Sequence, residues 1–296
     1  MKNMLHKNYP RLLGLLLLLW VPAVAQASDQ VKYASLPSGV TLEYFEQGSR
    51  AAPATIFIHG YPDSWRSYQE VLAFLPDDVH AVAVSLRGFG GSSKPVGGYT
   101  LAQQAADVIA LMDILEIAHA SVVGHSMGSL VASVMGAAYA DRVDGLVLIG
   151  TFATLVGKAD IEEFWREAVS VLDDPVDPEF VRAFQESTVV RPMSSAVMDV
   201  IVSESLKAPA RVWVSMMGAF IDKDFAPTLK SVKAPILFMW GSNDGLASQA
   251  EREFLVRIAA QPDVLNIAGA GHSPQWEDPA FVAAQIHAFV RAKTNG

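Results

Sequence analysis

The feature that most constrains this chain is a change of period repeated along it. Short apolar runs rich in β-branched and aromatic residues, at 31–36, 41–46, 55–59, 81–86, 121–124, 145–149, 236–240 and 264–267, have the length and composition of strands. Longer stretches with helical spacing separate the later ones, at 101–115, 126–139, 249–260 and 279–292. In the first of these, Ala105, Val108, Leu111, Met112 and Leu115 fall along one stripe of a helix. Strands that are apolar nearly throughout must be covered on both faces. The pattern therefore predicts an α/β fold with a mostly parallel central sheet and helices on both sides of it. The first two runs have no helical stretch between them and predict an antiparallel hairpin at one edge. A length of 296 residues suits one such unit.

The alternation stops between Thr151 and about Lys230. Strand signals are few there, and Pro175, Pro178, Pro192 and Pro209 cut the stretch into short pieces, because proline cannot continue a helix interior. Three to five short helices are expected, inserted late in the sheet as a cap. The expected division is 28–151 for the first part of the core, 152–230 for the helical cap and 231–296 for the second part of the core. Insertions at the carboxyl ends of parallel strands sit beside the ligand crevice. Trp165, Trp213 and Phe220 from this stretch, with Trp65 from the loop after the third strand, are therefore the candidate pocket residues. Plain packing of the cap onto the sheet is the competing role for any one of them.

One strand passes into a helix through Gly124-His125-Ser126-Met127-Gly128. A G-x-S-x-G run in that setting forms a very sharp turn, with the serine Oγ projecting above the sheet. Glycines two residues before and after remove side chains that would collide with neighbouring backbone. The helix that follows turns its positive end toward the serine.

A serine hydroxyl needs a base to become a nucleophile. Of the seven histidines, His272 directly follows the last strand, in the glycine-rich run Ala268-Gly269-Ala270-Gly271-His272-Ser273-Pro274. His59 and His125 belong to turn motifs and are expected to hold loops by hydrogen bonds. Glu277 and Asp278 are expected to begin the last helix. A carboxylate must orient the base, and Asp244 ends the preceding strand in Gly241-Ser242-Asn243-Asp244. The order Ser126, Asp244, His272 is the order of nucleophile, acid and base in this kind of fold. Two backbone N–H groups are expected to receive an oxyanion, those of Met127 and Tyr61, and losing one such donor typically costs about 3 kcal/mol in the transition state. Pro62 has no N–H and cannot serve.

With His59-Gly60-Tyr61-Pro62-Asp63-Ser64-Trp65 and Arg87-Gly88-Phe89-Gly90-Gly91-Ser92, these motifs resemble the α/β-hydrolase superfamily. The first and second segments are similar to the branch holding epoxide hydrolases, haloalkane dehalogenases and lid-bearing esterases. Ser85 stands where that branch often has an acidic residue, and no role is assigned to it. The nucleophile is Ser126 and not an aspartate. Epoxide and halide chemistry in this fold need a carboxylate whose ester water can reopen at its own carbonyl, whereas a serine would form an ether that water could not release. The resemblance therefore implies acyl chemistry: hydrolysis of a small apolar ester or lactone, with no cofactor and no metal. The same triad cleaving an amide or a C–C bond, or passing an acyl group to peroxide, is the alternative. A ligand-binding protein that retains the fold is the third.

Composition sets bounds on partners. The chain has no cysteine, which excludes disulfides and thiolate sites. Lys2, Lys7 and Arg11 precede an apolar run that ends in Ala25-Gln26-Ala27, the three-part pattern of a secretory signal peptide. Residues 1–27 are expected to be removed, leaving an exported protein, periplasmic or secreted, without a stable membrane anchor. That segment holds three basic residues and no acid, so the formal charge of −9 becomes near −12 without it. An acidic chain without a basic cluster is not built for nucleic acid or for an anionic membrane. The sequence leaves the oligomeric state open.

Overall fold

The structure, a computed structural model, describes residues 31–294. The expected signal peptide and its cleavage point lie outside them. Eight strands form one sheet: β1 (Lys32–Ser35), β2 (Thr41–Gln47), β3 (Ala54–Ile58), β4 (His80–Val84), β5 (Ala120–His125), β6 (Val143–Ile149), β7 (Ile236–Gly241) and β8 (Pro262–Ile267). Their order is β1-β2-β4-β3-β5-β6-β7-β8. The hairpin expected at one edge is there: β1 pairs antiparallel with β2 and β2 with β4. The strands from β4 through β8 all pair in parallel.

Alternate residues of the central strands serve two cores, which is why those strands read as unbroken apolar runs. Ile56, Ile58, Val122, Leu146, Leu148 and Phe238 face a core shared with α2 (Leu101–Ile114) and α3 (Met127–Ala138). Phe57, Val123, Val147, Ile149 and Met239 face the other, covered by α1 (Gln69–Phe74) and by a last helix over Pro279–Thr294. The stripe read from the sequence on α2 is buried throughout, and Thr100 caps that helix by accepting the N–H of Gln103 at 3.2 Å. The sequence places no helix between the third and fourth strands. There α1 covers only six residues directly after a 3-10 turn at Trp65–Tyr68, too short to show a helical period.

Between β6 and β7 the chain forms α4 (Ala159–Glu167), α5 (Pro178–Glu186), α6 (Ser195–Ser205), α7 (Ala210–Gly218) and α8 (Ala226–Ser231). After β7 come α9 (Gln249–Ile258), α10 (Pro274–Glu277) and α11 (Pro279–Thr294). Asp177 caps α5, accepting the N–H of Glu179 with Pro178 in the first turn, so a proline that breaks the preceding segment also starts a helix. Glu277 differs from expectation: it ends α10 and does not begin the last helix. Among the described residues no helix is long and apolar enough to cross a membrane.

Candidate active site

Ser126 sits between the end of β5 and the start of α3 with φ 50° and ψ −119°, a backbone conformation that costs energy for any residue with a Cβ. Its N–H is held by the carbonyl of Ile149 at 2.9 Å. The glycines on either side answer to close approach. A Cβ at Gly124 would run into the backbone of Gly128 and Ser129, and one at Gly128 into the carbonyls of Ile58 and His59. The strained turn is thus clamped by the neighbouring strands.

The loop after β8 brings His272 to the loop after β7. His272 Nδ1 and Asp244 Oδ2 lie 3.1 Å apart, with the Asp244 side chain wholly buried. The ring N–H is off the line of a well-formed hydrogen bond, and neither atom has another partner among the described residues. Catalytic pairs without substrate are often looser than in the complex. Burial alone would raise the Asp244 carboxyl. The charge of the adjacent His272 imidazole, the Leu246 N–H and Arg252 outweigh it and hold Asp244 at about 2. Asp244 therefore keeps its charge and can orient a cationic imidazole. Ser126, Asp244 and His272 line one cavity of about 670 Å³, a size that suits a small ligand. Ser126 Oγ makes no hydrogen bond to His272 among the described residues.

Several contacts fix the His272 loop. A Cβ at Gly150 would lie 2.9 Å from His272 Cε1, so the bare backbone after β6 seats the imidazole. The His272 carbonyl pairs with His125 Nε2 at 3.0 Å. Ser273 reaches the cap, its N–H donating to the Thr188 carbonyl at 3.1 Å and its Oγ to Thr188 Oγ1 at 3.0 Å. Glu277 accepts the Gly271 N–H at 2.8 Å and the N–H groups of Val190 and Arg191. His59 and His125 hold loops, as expected. His59 Nδ1 meets the Gly60 carbonyl at 2.7 Å and Nε2 receives the Leu86 N–H at 3.0 Å. Burial pushes His59 down to about 4 and His125 to about 3, so both are neutral near pH 7.

Met127 opens α3 and Tyr61 lies in the loop after β3. Neither N–H donates to another backbone group among the described residues. The Tyr61 loop is tied to the cap, since Tyr61 Oη donates to the Trp213 carbonyl at 3.0 Å and the Tyr61 ring meets Trp213 edge-on at 5.3 Å.

The candidate pocket aromatics separate. Phe220 lines the cavity. Trp213 does not: it is fully buried behind Tyr61, with Nε1 on the Ala208 carbonyl. Trp165 packs α4 toward Gly218 of α7 and also leaves the cavity wall. Trp65 belongs to the core on the other face of the sheet, stacked on Phe45 at 4.8 Å. These three are corrections to the pocket expected from sequence, and each reflects packing that a single aromatic position cannot announce.

Residues that the sequence reading left without a role also reach the site. Asp63 lines the cavity although it is almost wholly buried, held by Gln185 Nε2 of α5 at 2.8 Å and Ser67 Oγ at 3.3 Å. Burial pushes its carboxyl up to about 7 against those hydrogen bonds. Ser85 donates to Glu43 Oε2 at 2.7 Å, and the same oxygen accepts the Gly91 N–H at 2.8 Å. Ser85 thus sits beside a buried carboxylate that β2 contributes. Among the described residues no group of three or more His, Asp or Glu side chains could hold a metal ion.

Comparison with known proteins agrees with this architecture. The sequence model of one family, described as alpha/beta hydrolase fold, matches residues 53–279. The chain is 25% identical over 261 residues to 3-oxoadipate enol-lactonase 2 of Acinetobacter baylyi, covering 85% of this chain and 94% of that one. It is 24% identical over 281 residues to epoxide hydrolase 4 of Mus musculus, covering 87% of this chain and 78% of that one. The structure of an esterase from Exiguobacterium antarcticum shares the fold, with a TM-score of 0.77 at 18% identity over 88% of this chain and all of that one. With that match over most of its length, this chain belongs to the α/β-hydrolase fold family and is an enzyme of that family.

Proposed function

We propose that this hydrolase cleaves carboxylic esters or lactones through an acyl group carried on Ser126. The observation that carries the reading is the buried Asp244 carboxylate 3.1 Å from His272 Nδ1, in a cavity that Ser126 also lines from a strained turn. His272 takes the Ser126 proton as Oγ attacks the substrate carbonyl. Asp244 holds the ring and offsets the imidazolium charge. The N–H groups of Met127 and Tyr61 receive the oxyanion. The C–O bond to the leaving group then breaks, and His272 returns the proton to the departing alkoxide. Water adds to the acyl-serine by the same steps in reverse, releasing the acid and restoring Ser126.

Serine is what separates this reading from epoxide or halide chemistry, since an ether on Ser126 would not turn over. A relative named as an enol-lactonase supports an acyl substrate. The aromatic and aliphatic wall, with Phe152, Leu155, Ile161, Phe164, Met217 and Phe220, favours an apolar acyl or alcohol part. The proposal includes export after cleavage near Ala27, which rests on the sequence pattern of residues 1–27 and is read directly by the N-terminal sequence of the mature protein.

Turnover of short 4-nitrophenyl esters by wild type and Ser126→Ala tests the assignment. Loss of at least about 10³-fold in kcat/KM is expected for the variant. Turnover like wild type would refute it.

A further inference from the structure

The cavity wall is unevenly charged. Asp63, Asp160, Asp244 and Glu251 bring carboxyl groups to it, against one ammonium among the described residues, that of Lys158. Lys158 is already committed. Its Nζ donates to Glu251 Oε2 at 2.9 Å and to the Leu246 carbonyl, and it lies 5.7 Å from the centroid of the Phe152 ring. Glu251 is committed in turn: Oε1 accepts the N–H of Ala153 at 2.8 Å and of Thr154 at 3.4 Å. Neither side chain is open, with 22% of Lys158 and 13% of Glu251 exposed. Arg252, beside Glu251 in sequence, spends its guanidinium on the carbonyls of Gly241, Asp244 and Ala247.

A substrate carboxylate entering this space would give up its hydration and find no cation in return, which is costly. It would also enter against the field of a chain with a formal charge of −9. An uncharged substrate meets neither cost and gains the apolar wall.

We infer that the cavity selects uncharged substrates and rejects those bearing a carboxylate, and that the Lys158–Glu251 pair sets this selectivity by neutralising the cation on the wall. The inference rests on the ester reading and names its substrate class. Glu251→Gln is the informative change. A glutamine still accepts the Ala153 and Thr154 N–H groups, but it leaves the Lys158 charge without a counterion.

The test pairs mono-4-nitrophenyl adipate, which carries a terminal carboxylate, with its 4-nitrophenyl methyl diester, which is uncharged. Wild type is expected to prefer the diester by about 30-fold or more in kcat/KM, and Glu251→Gln to shrink that ratio by about tenfold. Lys158→Met should leave the preference at least as large as in wild type. Equal use of the two esters by wild type, or an unchanged ratio in Glu251→Gln, would overturn the inference. So would a wild-type ratio near one that rises in Lys158→Met, because Lys158 would then be receiving the anion. Binding of both esters, followed by tryptophan fluorescence, gives the same discrimination without turnover. If neither ester is hydrolysed but the diester binds about 30-fold more tightly, the ester reading fails and the charge selection stands. Equal binding overturns the selection.

Discussion

Glu277 Oε2 accepts the N–H of Gly271 at 2.8 Å, one residue before His272, while its other oxygen accepts the N–H groups of Val190 and Arg191 from the segment between α5 and α6. One carboxylate thus ties the loop that carries His272 to the cap above it. Glu277→Ala leaves these N–H groups without that acceptor, at about 1–3 kcal/mol for each one that stays buried. We expect a lower melting temperature and a kcat reduced by about tenfold through misplacement of His272. Glu277→Gln, which keeps one carbonyl oxygen, should fall between. Kinetics and thermal melts on the two variants check this ordering, and an unchanged kcat in Glu277→Ala would deny Glu277 the positioning role.

Gly150 makes the second prediction. Its φ of 58° disfavours a Cβ, and a Cβ there would lie 2.9 Å from His272 Cε1 and 3.0 Å from Nδ1. Gly150→Ala should move the imidazole away from Asp244. A displacement of that order can cost about 100-fold in rate, so kcat should drop by about that factor while the circular dichroism spectrum stays that of wild type. Full activity in a folded variant would show that the seat is not needed.

Asp63 gives stability a pH dependence whose sign follows from its raised value. Its ordinary value is 3.8, and in the fold it stands at about 7 because it is buried. Between those values the unfolded chain releases a proton that the native chain keeps. The stability contribution is therefore fully present below the lower value and falls as pH rises through the window, by up to about 4 kcal/mol once both forms are ionised. Asparagine has no charge at any pH and still accepts from Gln185. The melting temperature of Asp63→Asn relative to wild type should rise by several degrees between pH 5 and pH 8. Parallel curves for the two proteins would contradict this.

The central strands were legible because burial on both faces makes each a short run that is apolar nearly throughout. Each expected run overlaps an observed strand, from Lys32–Ser35 to Pro262–Ile267. The residues of the candidate site were legible for a related reason. Ser126, Asp244 and His272 each sit just beyond a strand, in glycine-bearing loops whose composition is local. What could not be read depends on partners distant in sequence. Whether Trp65 or Phe220 faces the cavity is decided by Phe45 and Tyr61, and neither pairing leaves a mark at the aromatic itself. Glu43 accepting from Ser85, and Gln185 holding Asp63, are likewise contacts across 42 and 122 residues. The pairing of Lys158 with Glu251 across 93 residues is of the same kind.

The proposed chemistry requires an acyl group on Ser126. It is tested most directly by mixing the protein with a 4-nitrophenyl ester, quenching in acid during turnover, and mapping the product by peptide mass spectrometry. An acyl adduct is expected on the peptide containing Ser126, located at that serine and absent from Ser126→Ala. Turnover with no adduct on Ser126, or with the acyl group on another side chain, would contradict it.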